Sequence, residues 1–184
     1  MRALYYSLKV LGQINRATLL FCKYVTIFLV ATITIVVCAG VYWRYVLNNS
    51  LAWTEETAKF LMVWMVFIGI PIALKTGGHA AIDALPNALP ERGRQFLYTA
   101  IYLVILLLMA VLIYQGWGFA LNARTQNTAT TQISMMYVFG AMPFGGVIMF
   151  FVSLELFIKA IVGIFTPSDG VHLDEIDMAK ASPE

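Results

Sequence analysis

Long apolar segments separated by short polar stretches make up most of this chain. Uncharged runs cover residues 24–43, 60–74 and 95–123, and a fourth apolar segment follows from about 133. A helix needs ~20 apolar residues to cross a bilayer. The pattern therefore predicts an all-α integral membrane protein of four transmembrane helices. We place them, within a single membrane domain 1–184, at about 24–45, 53–74, 95–121 and 133–163.

The second span needs more than its uncharged run, because only fifteen residues separate Lys59 from Lys75. We therefore expect the helix to begin near Trp53, with charged residues in its first turns. The third span has the opposite problem. Its 29 uncharged residues would form a helix of about 43 Å, longer than the ~30 Å hydrocarbon core. It must tilt, protrude, or break near 116–118.

Proline and glycine predict irregularities in two spans. Pro71 lies inside the second span, where it can kink the helix. Pro143 follows Gly140 near the start of the fourth span and predicts a kink there. Ala141 and Gly145 have the small-xxx-small spacing that lets another helix approach closely.

The N-terminal 23 residues carry four basic residues and no acid. Leucine and isoleucine recur among them at helical spacing, which predicts a basic amphipathic segment at 3–20 lying on the bilayer surface. An acidic tail, 167–184, is expected to be mobile. The residues expected to anchor the chain at the lipid interface are basic or aromatic: Arg16, Lys23, Trp43, Arg44, Arg92 and Arg94.

The basic residues also predict an orientation. With the N-terminus inside, nine Lys and Arg lie in inside segments and three in outside segments, out of 12 in all. Cytoplasmic segments carry the excess of basic residues. Both termini are therefore predicted to be cytoplasmic.

Composition agrees with a membrane protein. The chain is 60% hydrophobic and 12% charged, with a mean hydropathy of +0.79, whereas soluble domains carry about 25% charged residues. Its two cysteines, Cys22 and Cys38, are about 24 Å apart along a helix. That separation is too long for a disulfide between them.

No constellation for catalysis or cofactor binding is found. The two histidines, His79 and His172, fall in predicted cytoplasmic segments, so a membrane haem is not expected. No metal-binding or nucleophile motif occurs, and we predict neither an enzyme nor a cofactor. Ion-coupled carriers keep ionisable or discontinuous elements near the midplane, usually between inverted repeats. Here the first and third spans carry no charge, and no internal repeat is detected. We expect it to transport nothing on its own.

One ionisable pair does lie inside an apolar span, Glu155 and Lys159 at i,i+4. It has two interpretations: an intramembrane contact with another subunit, or a self-neutralised pair near the cytoplasmic interface. The second is favoured, because the span extends only six residues beyond Lys159.

The start of the second helix is the most specific stretch. Glu55 and Glu56 are four and three residues before Lys59, so either acid can reach its ammonium. Trp53, Phe60, Trp64 and Phe67 share one helical face. The stretch is either a solvated helix start, with acids at the positive end of the dipole, or a contact with a second subunit.

The ordered set Trp53-x-Glu55-Glu56, Trp64, Gly69, His79 and Asp83 carries a resemblance. It resembles the small membrane subunit, DctQ type, of tripartite ATP-independent periplasmic (TRAP) transporters, over roughly 19–165. For His79 and Asp83 a simple role in the loop remains the favoured interpretation.

The resemblance implies a sodium-driven secondary transporter in the bacterial inner membrane. A periplasmic binding protein captures an organic acid, such as a carboxylate or sialic acid, and a large multi-span permease carries it. The small subunit would brace that permease, in contact with membrane lipids and with no nucleic acid. The expected partner-interface residues are Trp53, Glu55, Glu56, Lys59, Trp64, Gly69, Ala141 and Gly145. Alternatives are a free-standing membrane adaptor or assembly factor, or a small channel-forming homo-oligomer.

Overall fold

A computed structural model describes residues 2–75 and 91–165. Within them the chain forms helices α1 (Arg2–Tyr45), α2 (Ala52–Lys75), α3 (Glu91–Asn122), α4 (Met136–Phe139) and α5 (Ala141–Phe165), with a 3₁₀ turn at Ala123–Thr125. Four helical segments are long and apolar enough to cross a membrane: Leu8–Tyr45, Ala52–Lys75, Phe96–Thr125 and Met136–Val162. The predicted all-α, four-span architecture is confirmed.

The helices form an open array rather than a closed bundle. α5 packs against α3, α2 and α1, and α2 also packs against α1. Within the described ranges α1 and α3 do not touch each other. Each helix consequently presents a large part of its surface outside the chain, as expected where lipid or another protein surrounds it.

Small residues let these helices approach closely. A β-carbon built on Gly145 of α5 would lie 2.6 Å from the carbonyl oxygen of Phe67 in α2. One built on Gly40 of α1 would lie 2.7 Å from the hydroxyl of Thr54 in α2. Lipid offers no hydrophobic drive for helices to associate, so close backbone packing of this kind supplies much of the stability.

α1 runs without interruption for 44 residues, about 66 Å at 1.5 Å per residue. The basic segment predicted at 3–20 is therefore continuous in helix with the first span. Its position on the bilayer surface stays a prediction. The orientation of the termini, the tail 167–184, and the loop that carries His79 and Asp83 fall outside what the described residues decide.

The irregularities fall partly where the sequence placed them. α3 stays helical through 116–118, so the third span does not break there. α2 is helical through Pro71, which is buried. The fourth span does divide at Gly140, between α4 and α5. The physical reason is Pro143, which has no N–H to donate to the carbonyl of Phe139.

Candidate functional site

Two groups of polar contacts lie at opposite ends of the helix array. The hairpin end is defined by the connections 46–51 and 123–135. The termini end is where α2 and α5 finish and α3 begins. Ionisable side chains at the two ends hold helices and loops together, and what remains outside those contacts is the surface available to a partner.

At the hairpin end, Glu55 bonds to another helix rather than to its own. Its carboxylate forms an ion pair with Arg44, near the end of α1. The same guanidinium donates a hydrogen bond of 3.3 Å to the hydroxyl of Ser50. Both charged side chains remain about half exposed, 48% and 57%. This contact fixes the α1–α2 turn, in which Asn48 has a positive φ of 51°.

Glu56 holds a loop that is distant in sequence. Its carboxylate accepts hydrogen bonds from the backbone N–H groups of Ala129, Thr130 and Thr131, at 3.1, 3.2 and 3.0 Å. The Thr131 hydroxyl adds a fourth at 3.2 Å. Hydrogen bonds from several N–H groups to one carboxylate are among the stronger kind. Glu56 therefore sets the shape of the loop that joins α3 to α4.

The loop is also closed on itself. An antiparallel bridge joins Asn127 to Ser134, and the N–H of Thr128 donates to the carbonyl of Ile133 at 2.9 Å. The stretch between α3 and α4 is therefore a folded turn rather than an open linker.

These contacts correct the ion pairs predicted for Lys59. Glu55 pairs with Arg44, and Glu56 binds the backbone at 129–131. In the part of the chain that the structure describes, Lys59 forms no salt bridge, and its side chain is exposed. An intrahelical pair at i,i+4 is worth only ~0.3–0.5 kcal/mol, so partners with better geometry displace it.

The aromatic face of α2 packs inside the chain. The indole N–H of Trp64 donates to the carbonyl of Tyr137 in α4 at 3.2 Å. Its ring lies 5.8 Å from that of Phe144 in α5, and Phe67 meets Gly145. Trp53, the second residue of α2, is 43% exposed.

The small residues predicted for a partner interface divide into two groups. Ala141 has no exposed surface, and Gly145 is buried against α2. These two residues therefore lie in a joint within the chain, not on its surface. Gly69 differs, because a β-carbon built there meets none of the described residues within 4 Å.

The lipid anchors are placed as follows. Arg16, Lys23 and Trp43 are exposed on α1, whereas Arg44, expected to extend freely toward the interface, forms the pair with Glu55. The side chains of Arg92 and Arg94 lie outside the described set.

At the termini end, four residues of three helices meet in what we call the Glu155 cluster: Asn15, Lys75, Glu155 and Lys159. The Glu155 side chain is 1% exposed, and its carboxylate lies 3.1 Å from the ammonium of Lys75 and 3.1 Å from that of Lys159. The two lysine side chains are 20% and 19% exposed. The cluster therefore ties α1, α2 and α5 together.

Asn15 completes this cluster from α1. It is 3% exposed, and its amide donates to Glu155 at 2.7 Å and to the carbonyl of Phe151 at 3.0 Å. Neither Asn15 nor the contact between Lys75 and Glu155 was predicted. The available signal was the presence of Glu155 inside an apolar span, since such a residue nearly always has a partner.

Comparison with known proteins identifies the family. Residues 33–163 match the model of the DctQ component of tripartite ATP-independent periplasmic transporters. The small permease protein SiaQ of the Vibrio cholerae sialic acid TRAP transporter is 30% identical over 131 residues, covering 71% of this chain and 76% of that protein. The chain belongs to the DctQ family.

Two further relatives extend the comparison. The Vibrio cholerae C4-dicarboxylate TRAP transporter small permease protein DctQ is 29% identical over 98 residues, 53% of this chain and 42% of that protein. The sialic acid TRAP transporter permease protein SiaT of Haemophilus influenzae is 31% identical over 116 residues. That match covers 63% of this chain and 19% of SiaT.

Family membership fixes the class of the protein. DctQ proteins are transporter components, not enzymes, and with its four apolar helices the chain is a multi-pass protein of the inner membrane. The family match includes three members of the Glu155 cluster, whereas Asn15 precedes it. The cluster thus joins residues 33–163, which we call the DctQ segment, to the part of α1 that precedes them.

Proposed function

We propose that this chain is the small permease subunit of a sodium-driven TRAP transporter for an organic acid. In this proposal it braces a large multi-span permease in the membrane and binds neither the substrate nor the coupling ion. A periplasmic binding protein delivers the substrate to the assembled permease.

The observation that carries the proposal is how the carboxylates are used. Three have described side chains, and all three serve intrachain contacts: Glu55 with Arg44, Glu56 with the 129–131 backbone, and Glu155 with its cluster. Ionisable residues inside membrane spans usually mark a substrate or ion pathway. Here the acids hold helices and loops in place, which suits a supporting subunit.

The middle of each span supports the same role. The uncharged runs of the first three spans cover their central turns, and α2 and α3 are unbroken, whereas Glu155 in the middle of α5 is neutralised within its cluster. Ion-coupled carriers build their sites near the midplane from discontinuous helices. The one division in a span, at Gly140, lies close to the hairpin end, next to α4.

The relatives support the choice of partner and substrate. The segment similar to this chain makes up about a fifth of SiaT, a permease protein of much greater length. A unit of this kind therefore occurs within one polypeptide together with further permease sequence. Relatives named for sialic acid and for C4-dicarboxylates favour an organic acid.

Reconstitution tests this function. The large permease subunit is placed in proteoliposomes with and without this chain, the cognate binding protein is supplied outside, and uptake of labelled organic acid is measured. We expect uptake only with both membrane subunits and an inward sodium gradient, and none when potassium replaces sodium. Uptake by this chain alone, or full uptake without it, would remove the supporting role.

A further inference from the structure

One side of α2 remains uncovered by the other residues that the structure describes. Along it, exposed residues recur at steps of four, three, four and four, so they form a single line along the helix. We call this line the α2 stripe: Glu55, Lys59, Met62, Val66 and Ile70. The apolar members are substantially exposed, with Met62 at 52% and Val66 at 46%.

The neighbours of α2 show where this surface lies. α2 contacts both α1 and α5, which also contact each other. Its aromatic face, with Trp64 and Phe67, already packs on α4 and α5. The stripe is therefore the side that an additional helix would cover, next to elements that are themselves fixed.

Lys59 indicates which charge an additional helix would carry at this surface. It lies seven residues inside α2, about 10 Å from the first residue of the helix, on an otherwise apolar stretch that continues to Ile70. Glu55 and Glu56, which could neutralise it, are held by Arg44 and by the loop. A basic residue within an apolar span is costly and usually faces a partner or the interior of an assembly. A carboxylate at this level would complement it.

Gly69 indicates a close approach. Glycine within a helix destabilises it relative to alanine, unless the absence of a side chain permits a close contact. At Gly145 the absence of a side chain permits the close approach of α2. Among the described residues nothing lies within 4 Å of a β-carbon built at Gly69, so this position has room for a helix of another protein. Small residues are typical of the places where transmembrane helices touch.

The exposed faces of α1 and α3 differ from the stripe. Between 24 and 43 in α1, and from 96 to 122 in α3, they carry no charge and present many large apolar side chains, such as Phe28 at 69% and Val104 at 56% exposure. Such surfaces suit lipid chains. The stripe carries Lys59, which forms no salt bridge among the described residues, and has Gly69 with open space at its edge, a combination that suits a protein helix.

We propose that the α2 stripe is the surface on which a transmembrane helix of the large permease subunit packs. The partner helix passes close to Gly69 and places an Asp or Glu carboxylate opposite Lys59. This rests on the proposed function and specifies which surface of the chain performs it. Of the residues predicted for the interface, Glu55 and Lys59 lie on the stripe and Gly69 at its edge, while Trp64 lies on the opposite, internal face.

Photocrosslinking tests the surface in the intact complex. A benzophenone amino acid replaces Met62, Val66 or Ile70 on the stripe, and Phe28 or Val104 as controls, and the tagged large subunit is purified before illumination. We expect adducts with the large subunit from the stripe positions. If the complex is intact and the stripe gives only lipid adducts, adducts between copies of this chain, or none, the proposal is overturned and the proposed function stands. If the unmodified chain does not copurify with the large subunit at all, both fail.

Two substitutions test the contacts themselves. Gly69→Leu and Lys59→Glu are each expected to lower recovery of the complex roughly tenfold or more. The chain alone should keep its wild-type melting temperature, because in the described ranges Lys59 forms no salt bridge and a side chain at Gly69 meets no neighbour. Gly118→Leu is the matched control, since Gly118 in α3 also has open space around it, and its recovery should be unchanged. Wild-type recovery for both stripe variants would overturn the proposed contacts.

Discussion

Asn15 donates a hydrogen bond of 2.7 Å to the carboxylate of Glu155, across 140 residues of sequence. The bond joins the N-terminal half of α1 to the middle of α5, and Lys75 brings the end of α2 to the same carboxylate. A buried carboxylate needs partners for both oxygens, and here three helices supply them. The N-terminal helix is thereby fixed to the DctQ segment at the termini end.

Loss of the buried carboxylate should destabilise the chain. Glu155→Gln removes the negative charge and leaves Lys75 and Lys159 close together in a largely buried place. Breaking a buried pair in this way costs ~3–5 kcal/mol, and partial exposure of the lysines favours the lower part of that range. We expect a clearly lower melting temperature in detergent, measured on the chain alone.

The matched control is Glu55→Gln at the hairpin end. It breaks the exposed pair with Arg44, and exposed pairs contribute ~1 kcal/mol or less. Its melting temperature should stay near that of the wild type. Equal losses for the two variants would contradict a special role for the Glu155 cluster.

Glu56→Gln should loosen the loop between α3 and α4. The amide that replaces the carboxylate has one acceptor oxygen, so it cannot hold three backbone N–H groups and a hydroxyl together. Hydrogen exchange of the amides of Ala129, Thr130 and Thr131 is expected to rise to the level of exposed loop amides. Glu55→Gln, one residue away, should leave these amides protected. Unchanged protection in Glu56→Gln would mean that the loop holds its shape by its own bonds.

The close approach of α2 and α5 makes Gly145 intolerant of a side chain. Gly145→Ala would place a methyl group 2.6 Å from the carbonyl oxygen of Phe67, and overpacking of this kind costs ~1–3 kcal/mol. Gly118→Ala is the control, because its β-carbon meets nothing within 4 Å. That change should be neutral, or stabilising by ~0.5–1 kcal/mol. Thermal unfolding of both variants measures the difference, and equal melting temperatures would contradict the packing.

The predicted orientation can be measured by cysteine labelling in intact cells. After Cys22 and Cys38 are replaced, single cysteines are introduced at Asn49, Asn127, Asn87 and Ser182. An impermeant reagent should label the first two, at the hairpin end, and reach the last two only after the membrane is permeabilised. This follows from the nine-to-three distribution of Lys and Arg. Labelling at Asn87 from outside would contradict the predicted topology.

The fold class could be obtained from the sequence because it depends on local properties. The length of each apolar run and the absence of charge within it decide whether a helix can span the bilayer. Pro143 marked the division of the fourth span by the same kind of local rule, since it lacks the N–H that the helix needs. The third span remained open between several outcomes, because Gly116 permits a break without requiring one.

The pairing of charged residues was decided by the tertiary structure. Sequence spacing offers Lys59 to both Glu55 and Glu56, but a carboxylate takes the partners with the best geometry at the least cost in side-chain entropy. Glu56 accepts hydrogen bonds from three backbone N–H groups about 75 residues away, and Glu55 pairs with Arg44 across the turn.

What the sequence determined and what the tertiary structure decided differ for one physical reason. Membrane insertion depends on the free energy of each segment separately, so the sequence by itself determined four spans, their helical nature and the family pattern. Which side of α2 is covered depends on contacts among helices far apart in the chain. Only the tertiary structure assigned the aromatic face to the interior, left the side with Lys59 and Gly69 open, and brought Asn15 to Glu155.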